Sequence, residues 1–244
     1  MHRTPTRRYR TVRRSVDLFR SFLVEQSEPD RFYTDLANDT INLLTRHEPI
    51  EGRLILDVGA GSEQFGTEFV RRGAKYVAVD LERGALQLAP SKGGVVGRGE
   101  RLPIADNSVD MVLCNNVMEH VLTPGIVGDE MLRIVRPGGL VFISYTAWAS
   151  PWGGHETSPW HWLGGRYAAK RYERKHGHPP KNVFGRTMHA TSVAGGLRWA
   201  RHHPDAWLIE AAPRYHPDWA DGVLSLPGVR EVLSWNLMMV LRRT

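Results

Sequence analysis

The chain has 244 residues, of which 41% are hydrophobic and 24% are charged, a composition typical of a globular protein with one α/β domain. Its longest apolar runs are strand-sized and fall short of the roughly 18 residues that a membrane-spanning helix needs. The N-terminus lacks the apolar stretch of a secretory signal. A single cysteine, Cys114, excludes an internal disulfide and suits a reducing compartment, so we expect a cytoplasmic protein.

The formal net charge of +6 is concentrated at the N-terminus, where six arginines and no acidic residue occur in the first 14 positions. The other Lys and Arg residues balance the 26 Asp and Glu residues, so a nucleic-acid partner is not expected. Residues 1–14 are predicted to be a flexible basic tail. A peripheral contact of this tail with an anionic membrane surface is the alternative to simple solvation.

Residues 15–50 predict two amphipathic helices that would cap the domain. Val16, Phe19 and Leu23 recur at helical spacing, and Ser27-Glu28-Pro29-Asp30 is typical of a capping box at the start of a second helix. From residue 53 onward, strand and helix patterns alternate, which indicates parallel strands covered by helices on both faces. The predicted elements there are a strand over 53–58, a helix over 63–72, a strand over 75–80, a short strand near 94–97, a strand over 109–115, a helix from Thr123-Pro124 that stops before Pro137, and a strand over 140–145.

The alternation stops after residue 146. Residues 146–191 are rich in Gly, Pro, His and Trp and show no clear period, so we predict an irregular insertion on the substrate side of the sheet. The pattern resumes with a helix over 192–202, a strand over 206–211, a helical stretch over 219–234 and a strand over 236–241. No repeat or linker divides the chain, and residues 15–244 are therefore predicted to form a single domain.

The first strand runs into a glycine-rich turn, Asp57-Val58-Gly59-Ala60-Gly61, that opens a helix. Glycines let the backbone bend sharply and let a ligand approach it, and the helix N-terminus offers free N–H groups. A dinucleotide fingerprint would need a third glycine where Gln64 stands, and Asp57 would repel a pyrophosphate but not a cationic ligand. Asp80, at the end of the second strand, is placed to accept hydrogen bonds from a ribose diol. The alternative is that Asp57 and Asp80 merely cap strand ends.

Five ordered blocks between residues 53 and 146 resemble the class I S-adenosylmethionine-dependent methyltransferases, in particular the ubiquinone/menaquinone-biosynthesis type (methyltransferase type 11). The blocks are residues 56–61 (LDVGAG), 79–80 (VD), 102–110 (LPIADNSVD), 115–121 (NNVMEHV) and 136–140 (RPGGL). The resemblance implies a Rossmann-like α/β fold with a seven-stranded sheet in the order 3-2-1-4-5-7-6 and strand 7 antiparallel. It also implies S-adenosyl-L-methionine as cofactor, bound across the ends of strands 1, 2 and 4.

The resemblance further implies which residues meet the cofactor. Gly59 and Gly61 would approach its methionine part, Asp80 would hold the ribose with Leu81 against the adenine, and Asn115 would offer its backbone carbonyl to the amino group. Where the family usually has an acid and an alanine that contact adenine, this chain has Arg98-Gly99, so we expect the Gly99 N–H or Glu100 to serve instead. The complete predicted cofactor site is Asp57, Gly59, Ala60, Gly61, Asp80, Leu81, Gly99, Glu100, Asn115 and Asn116.

The acceptor is expected beyond the ends of strands 4 and 5, where the insertion begins. An alcohol acceptor must lose a proton, so a positioned base is needed. His155 is the first candidate for this base, with Glu156 beside it in the chain, and His120 is the second, although a purely structural role for His120 is the alternative. His155, Glu156 and His161 do not have the spacing of a helical zinc motif, so no metal is expected.

The leading functional prediction is methylation of a hydroxyl or carboxyl oxygen on a small molecule, glycoside or lipid. Four tryptophans between residues 148 and 162 either line a site for such a substrate or form a secondary core. The alternatives are N- or C-methylation, RNA methylation, and a partner subunit that binds the cofactor without catalysis. The RNA alternative lacks an Asn-Pro-Pro-aromatic motif, because Asn115-Asn116-Val117-Met118 occupies that position.

Overall fold

A computed structural model describes residues 9–25, 27–61, 63–87 and 94–244 of the chain. The helices in this part are α1 (Val12–Leu23), α2 (Pro29–Leu44), α3 (Glu63–Arg71), α4 (Arg83–Gln87), α5 (Pro124–Ile134), α6 (Gly165–His176), α7 (Val193–His202) and α8 (Val229–Leu233). The strands are β1 (Leu54–Val58), β2 (Lys75–Asp80), β3 (Val95–Val96), β4 (Val109–Asn115), β5 (Val135–Thr146), β6 (Ala206–Pro213) and β7 (Asn236–Arg243). Short 3-10 helices cover Met118–His120, His155–Thr157, Trp160–Leu163 and Asp218–Ser225.

The seven strands form one sheet in the order β3-β2-β1-β4-β5-β7-β6. Strand β7 runs antiparallel to both of its neighbours, β5 and β6, whereas the pairs from β3 to β5 are parallel. This confirms the predicted Rossmann-like fold, including its strand order and its one antiparallel strand. Because β1, β2, β4 and β5 are parallel, their carboxyl ends meet at one edge of the sheet, where α/β proteins of this type bind ligands.

Both faces of the sheet are covered, and alternate residues of β1 point to opposite layers. Leu56 and Val58 belong to a buried cluster that includes residues of α5 and α7, such as Met131 and Leu197. Ile55 belongs to a second cluster that includes residues of α2 and α3. Burial on both faces explains why the central strands read as continuous apolar runs. No helix in the described part of the chain is both long and apolar enough to cross a bilayer.

The ordered N-terminal part begins earlier than the sequence indicated. Helix α1 starts at Val12, and the Thr11 hydroxyl accepts a hydrogen bond from the Arg14 N–H at 3.2 Å. The Arg14 guanidinium donates to both carboxylate oxygens of Asp39, at 2.6 and 2.8 Å. Arg10 is only 3% exposed and pairs with Asp221 at 2.6 Å. Within residues 9–14, Arg10 and Arg14 thus pack on the body instead of continuing the predicted flexible tail, because acids distant in sequence neutralise them; residues 1–8 lie outside the described residues.

Two predicted helix caps differ in detail from the structure. Helix α2 begins at Pro29 with Glu28 at the cap position and no side-chain capping bond, while the Ser27 hydroxyl donates to the Val24 carbonyl at 3.2 Å. The capping-box prediction for Ser27 is therefore wrong, because this hydroxyl turns back to the end of α1. Thr123 does occupy the cap position of α5, but its side chain makes no capping bond.

The insertion over residues 146–191 contains a helix that the sequence pattern did not reveal. Helix α6 buries only Ala168, so its sequence lacks the apolar stripe by which an amphipathic helix is predicted.

The four tryptophans of the insertion divide between two environments. Trp148 contacts Phe184, which also belongs to the insertion, with tilted rings whose centroids are 4.4 Å apart, whereas Trp152 meets Phe22 of α1 at 5.1 Å and so packs the insertion onto the domain. Trp160 and Trp162 are 41% and 54% exposed.

Candidate functional site

The first part of the candidate site is the glycine turn after β1. Gly59 has a φ of +73°, and its N–H donates to the Val79 carbonyl at 2.8 Å. A Cβ added at Gly59 would lie 2.4 Å from Cγ2 of Val117, so no side chain fits there. Gly61 also has a positive φ, +49°. The contact with Val117 joins the turn to the segment after β4, and the two form one continuous edge.

Asp80 is fixed at the end of β2 next to this turn. One carboxylate oxygen accepts the Gly61 N–H at 3.3 Å, and the other accepts the Glu82 N–H at 2.9 Å. The side chain is half-buried, and each oxygen keeps a lone pair that a hydroxyl could use. Leu81 is 61% exposed beside it, which leaves an apolar surface uncovered next to a carboxylate. This arrangement suits a ribose and its base.

Asp57 lies inside the protein, one strand away from Asp80. It is 2% exposed, and the Tyr76 hydroxyl donates to its Oδ2 at 2.6 Å. Burial raises the pKa of Asp57 to about 7, the negative charge of Asp80 raises it further, and the hydrogen bond from Tyr76 opposes the rise. Near neutral pH this carboxyl is therefore divided between its charged and neutral forms. The expected repulsion of a pyrophosphate by Asp57 requires a full negative charge, and the raised pKa weakens that expectation.

The segment predicted to meet the adenine lies between β3 and β4. Gly99 is half-buried, and a Cβ added there would lie 3.1 Å from Val127 and 3.5 Å from Val58. The Glu100 carboxylate is 3.6 Å from the Arg98 guanidinium, which is itself largely exposed. Glu100 thus has a cationic neighbour as well as access to solvent. Its contact with adenine, like that of the Gly99 N–H, stays a prediction.

Asn115 ends β4 and Asn116 follows it, and their side chains bind to other parts of the fold. Oδ1 of Asn115 accepts from the Arg214 guanidinium at 2.8 Å, and Oδ1 of Asn116 accepts from Asn236 at 2.8 Å. Asn116 has a φ of +53°, and its N–H donates to the Ser144 carbonyl. The fully buried Arg214, which the sequence analysis did not single out, therefore positions this corner. The predicted role of the Asn115 carbonyl involves the backbone and stays open to test.

His120 and His155, the two predicted bases, lie side by side although 35 positions separate them in the chain. Their ring centroids are 5.2 Å apart. Glu119 joins them: one ligand atom from each of the three residues lies within 4.8 Å of the others. Glu119 is 2% exposed, and its Oε1 accepts the Thr146 N–H at 2.9 Å. We call Glu119, His120 and His155 the carboxylate–histidine cluster.

His155 is held with an unused ring nitrogen. Its backbone takes a φ of +49°, and its buried Nε2 has no hydrogen-bond partner among the described residues. Burial lowers the pKa of His155 to about 4, and the neighbouring His120 adds to the effect while Glu156 opposes it. The ring is therefore neutral at pH 7, and a neutral imidazole carries a lone pair.

Glu156 does not belong to this cluster. Its two carboxylate oxygens accept the backbone N–H and the side-chain amide of Asn182, at 2.7 and 2.9 Å, and these bonds lower its pKa against the effect of burial. His161 is buried elsewhere in the insertion, with Nε2 3.1 Å from the Ser150 carbonyl. Glu156 thus tethers the loop at Asn182, and the catalytic role predicted for it has no geometric support.

The sequence analysis missed Glu119 as a site residue. This glutamate contributed to the sequence-based prediction only as part of the block over residues 115–121. A usable signal was present, because an acid that directly precedes His120 and follows the end of a buried parallel strand by a few residues lies near the ligand-binding edge of the sheet. What the sequence could not supply was the distance from Glu119 to His155, which depends on how the insertion folds back.

Comparison with known proteins gives a consistent result. The sequence profile of a family described as "Methyltransferase domain" matches residues 56–143. An "uncharacterized methyltransferase" of Mycobacteroides abscessus is 45% identical over 247 residues, covering 95% of each chain, and one of Mycolicibacterium gilvum is 46% identical over 246 residues, covering 96% of each. Among solved structures, a TehB-like SAM-dependent methyltransferase from Corynebacterium glutamicum aligns with a TM-score of 0.57 at 15% identity, over 96% of this chain and 100% of that one. A likeness at this low identity shows the fold.

Proposed function

Because the chain belongs to the S-adenosylmethionine-dependent methyltransferases, we propose that it methylates a hydroxyl or carboxyl oxygen on a small molecule, glycoside or lipid. One observation carries the proposal: the carboxylate–histidine cluster lies at the same sheet edge as the glycine turn and Asp80. The two halves are joined by the contact between Gly59 and Val117. A cofactor site and a group able to take a proton are thus neighbours.

The residues at the turn fit S-adenosylmethionine. A Cβ at Gly59 would overlap Val117, so this position has to be glycine and presents only backbone atoms, which the methionine part of the cofactor can approach closely. The Asp80 carboxylate has free lone pairs for the two ribose hydroxyls, and the exposed Leu81 offers an apolar surface to the adenine. Ala60, Gly61 and Asn115 would complete the contacts through their backbones.

The cofactor supplies a methyl group bonded to a positively charged sulfur. In the transfer, the acceptor oxygen forms a bond to the methyl carbon, the carbon–sulfur bond breaks, and the sulfur keeps that electron pair. The protein aligns the three atoms, an effect that can supply roughly 7–11 kcal/mol of the barrier. The proton of a hydroxyl acceptor goes to the cluster, where the unpaired Nε2 of His155 is the first candidate to receive it.

The exposed ring of Trp162 supports a glycoside or lipid acceptor, because such a ring gives a large apolar contact area. The ring of Trp160 lies against the Arg171 guanidinium, 3.9 Å from the ring centroid. N- or C-methylation is the alternative, since an amine or carbanion acceptor would use the same edge. RNA as acceptor has weaker support, because Arg10 and Arg14 are engaged within the domain. A membrane contact through the N-terminus and membership of the ubiquinone/menaquinone type remain predictions.

Methyl transfer tests the proposal directly. The purified chain, incubated with S-adenosylmethionine labelled in its methyl group and a cell extract, is expected to label an acceptor of low molecular mass. His155→Ala should reduce the rate on that acceptor by about 10²–10⁴-fold, because it removes the positioned base. The exposed His202→Ala variant is the matched control and should keep full activity. Label found only in RNA, or undiminished turnover by His155→Ala, would contradict the proposed acceptor or the proposed base.

A further inference from the structure

The carboxylate–histidine cluster has the donor set of a metal site. Glu119 offers a carboxylate oxygen, and His120 and His155 each offer an imidazole nitrogen, all within 4.8 Å of one another. Ligands of a tetrahedral zinc ion lie about 3.4 Å apart, so the side chains need to close in by about an ångström on binding. Two imidazoles and one carboxylate suit zinc and related transition-metal ions better than magnesium or calcium, which prefer oxygen.

Two buried polar atoms of the cluster have no hydrogen-bond partner among the described residues, which is a second indication of a ligand. The two atoms are Oε2 of Glu119, on a residue that is only 2% exposed, and Nε2 of His155. Leaving a buried polar atom unpaired is energetically costly, and more so for a charged group. These two neighbouring atoms are hydrogen-bond acceptors without donors. A cation bound between them would interact favourably with both.

In Glu119 and His120, the side-chain atom that is not needed as a ligand is held by a neighbour. Oε1 of Glu119 accepts the Thr146 N–H at 2.9 Å, which aims Oε2 away from β5. Nδ1 of His120 is 2.7 Å from the Thr187 carbonyl. Donation from Nδ1 to this carbonyl fixes the tautomer in which Nε2 carries the lone pair. Metal-binding histidines are commonly oriented by such a bond.

We propose that Glu119, His120 and His155 bind a divalent cation of the zinc class and leave a fourth position open for the acceptor oxygen. The use of that fourth position rests on the proposed methyl transfer. A hydroxyl bound to the cation loses its proton more readily, as water does on zinc, and this proton passes to solvent. In the loaded protein His155 is then a ligand, and the cation takes over the task of activating the acceptor. The proposal differs from the sequence-based expectation of no metal, which considered His155 with Glu156 and His161.

Metal binding is tested without cofactor or acceptor. The chain is treated with a chelator, dialysed, and titrated with Zn²⁺ in a calorimeter and with Co²⁺ in a visible spectrometer. One ion per chain is expected, with the absorption bands of four- or five-coordinate Co²⁺. Glu119→Gln and His120→Ala, checked for folding by circular dichroism, should each weaken binding at least 10-fold.

The exposed pair His176 and His178, whose rings are 6.2 Å apart, is the main competing site and provides the control. The double variant His176→Ala/His178→Ala should keep the ion and its spectrum. Absence of binding to the wild type, or loss of binding only in this double variant, would overturn the proposal.

The two proposals can fail separately. A chain that transfers methyl groups at full rate in the presence of a chelator, and binds no Zn²⁺, overturns the metal site and leaves the methyltransferase proposal standing. A chain that binds one ion through Glu119 and His120 but labels no acceptor of low molecular mass supports the metal site and contradicts the proposed acceptor.

Discussion

Gly59 and Gly52 share one backbone conformation in very different surroundings. Both have a φ of +73°. A Cβ added at Gly59 would lie 2.4 Å from Val117, whereas a Cβ added at Gly52 would meet nothing within 4 Å. A substitution at Gly52 therefore measures only the strain of a positive φ, which costs an L-residue about 1–2 kcal/mol. A substitution at Gly59 measures this strain together with the steric overlap at the proposed cofactor site.

We predict that Gly52→Ala lowers the free energy of unfolding by about 1 kcal/mol and leaves S-adenosylmethionine binding unchanged. Gly59→Ala should cost about 1–3 kcal/mol more, because the new methyl group overlaps Val117, and should weaken cofactor binding. Adding Val117→Ala to Gly59→Ala should recover part of the lost stability. Chemical denaturation and calorimetry measure both effects, and equal losses in the two single variants would contradict the steric account.

Asp57 makes the stability of the fold depend on pH. Its pKa is about 7 in the folded chain, against 3.8 for an ordinary aspartate. Between these values the folded state holds a proton that the unfolded state has released, so stability falls as the pH rises, by at most about 1.4 kcal/mol per pH unit. The contribution is complete below the unfolded pKa and is lost as the pH rises to the folded one.

Asp57→Asn keeps an acceptor for the Tyr76 hydroxyl and removes the titration. The difference in unfolding free energy, variant minus wild type, should therefore rise between pH 4 and pH 7 and level off above that range. Urea denaturation of both proteins at unit pH intervals measures it. Parallel curves for the two proteins would show that burial of Asp57 does not control its protonation.

At the scale of elements, the sequence pattern was most informative in the central sheet. The bounds of β2 and β4 agree with the prediction, because these strands are buried on both faces and read as apolar runs ending at Asp80 and Asn115. Helix α6 escaped prediction because it lies on the surface with one buried residue. Ion pairs between residues distant in the chain produce no local sequence pattern. Arg10 and Arg14 were therefore predicted to belong to a flexible tail.

Adjacent arginines on α1 test how firmly that helix is attached to the domain. Arg14 is 11% exposed and pairs with the buried Asp39, whereas Arg13 is 93% exposed. Arg14→Ala should lower the free energy of unfolding by about 3 kcal/mol, because it leaves the Asp39 carboxylate buried without this partner. Arg13→Ala should remain within about 0.5 kcal/mol of the wild type. Equal, small effects in denaturation experiments would mean that residues 9–14 contribute little to the fold.

At the scale of the whole molecule, the strand order came from the resemblance of five blocks and was confirmed by the sheet. The same blocks placed Gly59 and Asp80 at one edge, since both follow parallel strands. They could not place Glu156, because its direction depends on a bond to Asn182 across the insertion. Nor could they assemble Glu119, His120 and His155, which meet only once the insertion is folded.

The affinity of the purified chain for S-adenosylmethionine tests the central claim most directly. Calorimetry with the wild type, Asp80→Ala and Asp17→Ala compares a carboxylate at the proposed ribose site with an exposed one on α1. We predict one cofactor per chain, binding at least 10-fold weaker to Asp80→Ala, and an unchanged affinity in Asp17→Ala. Absence of binding to the wild type, or equal affinity of the wild type and Asp80→Ala, would contradict the cofactor site described for this edge of the sheet.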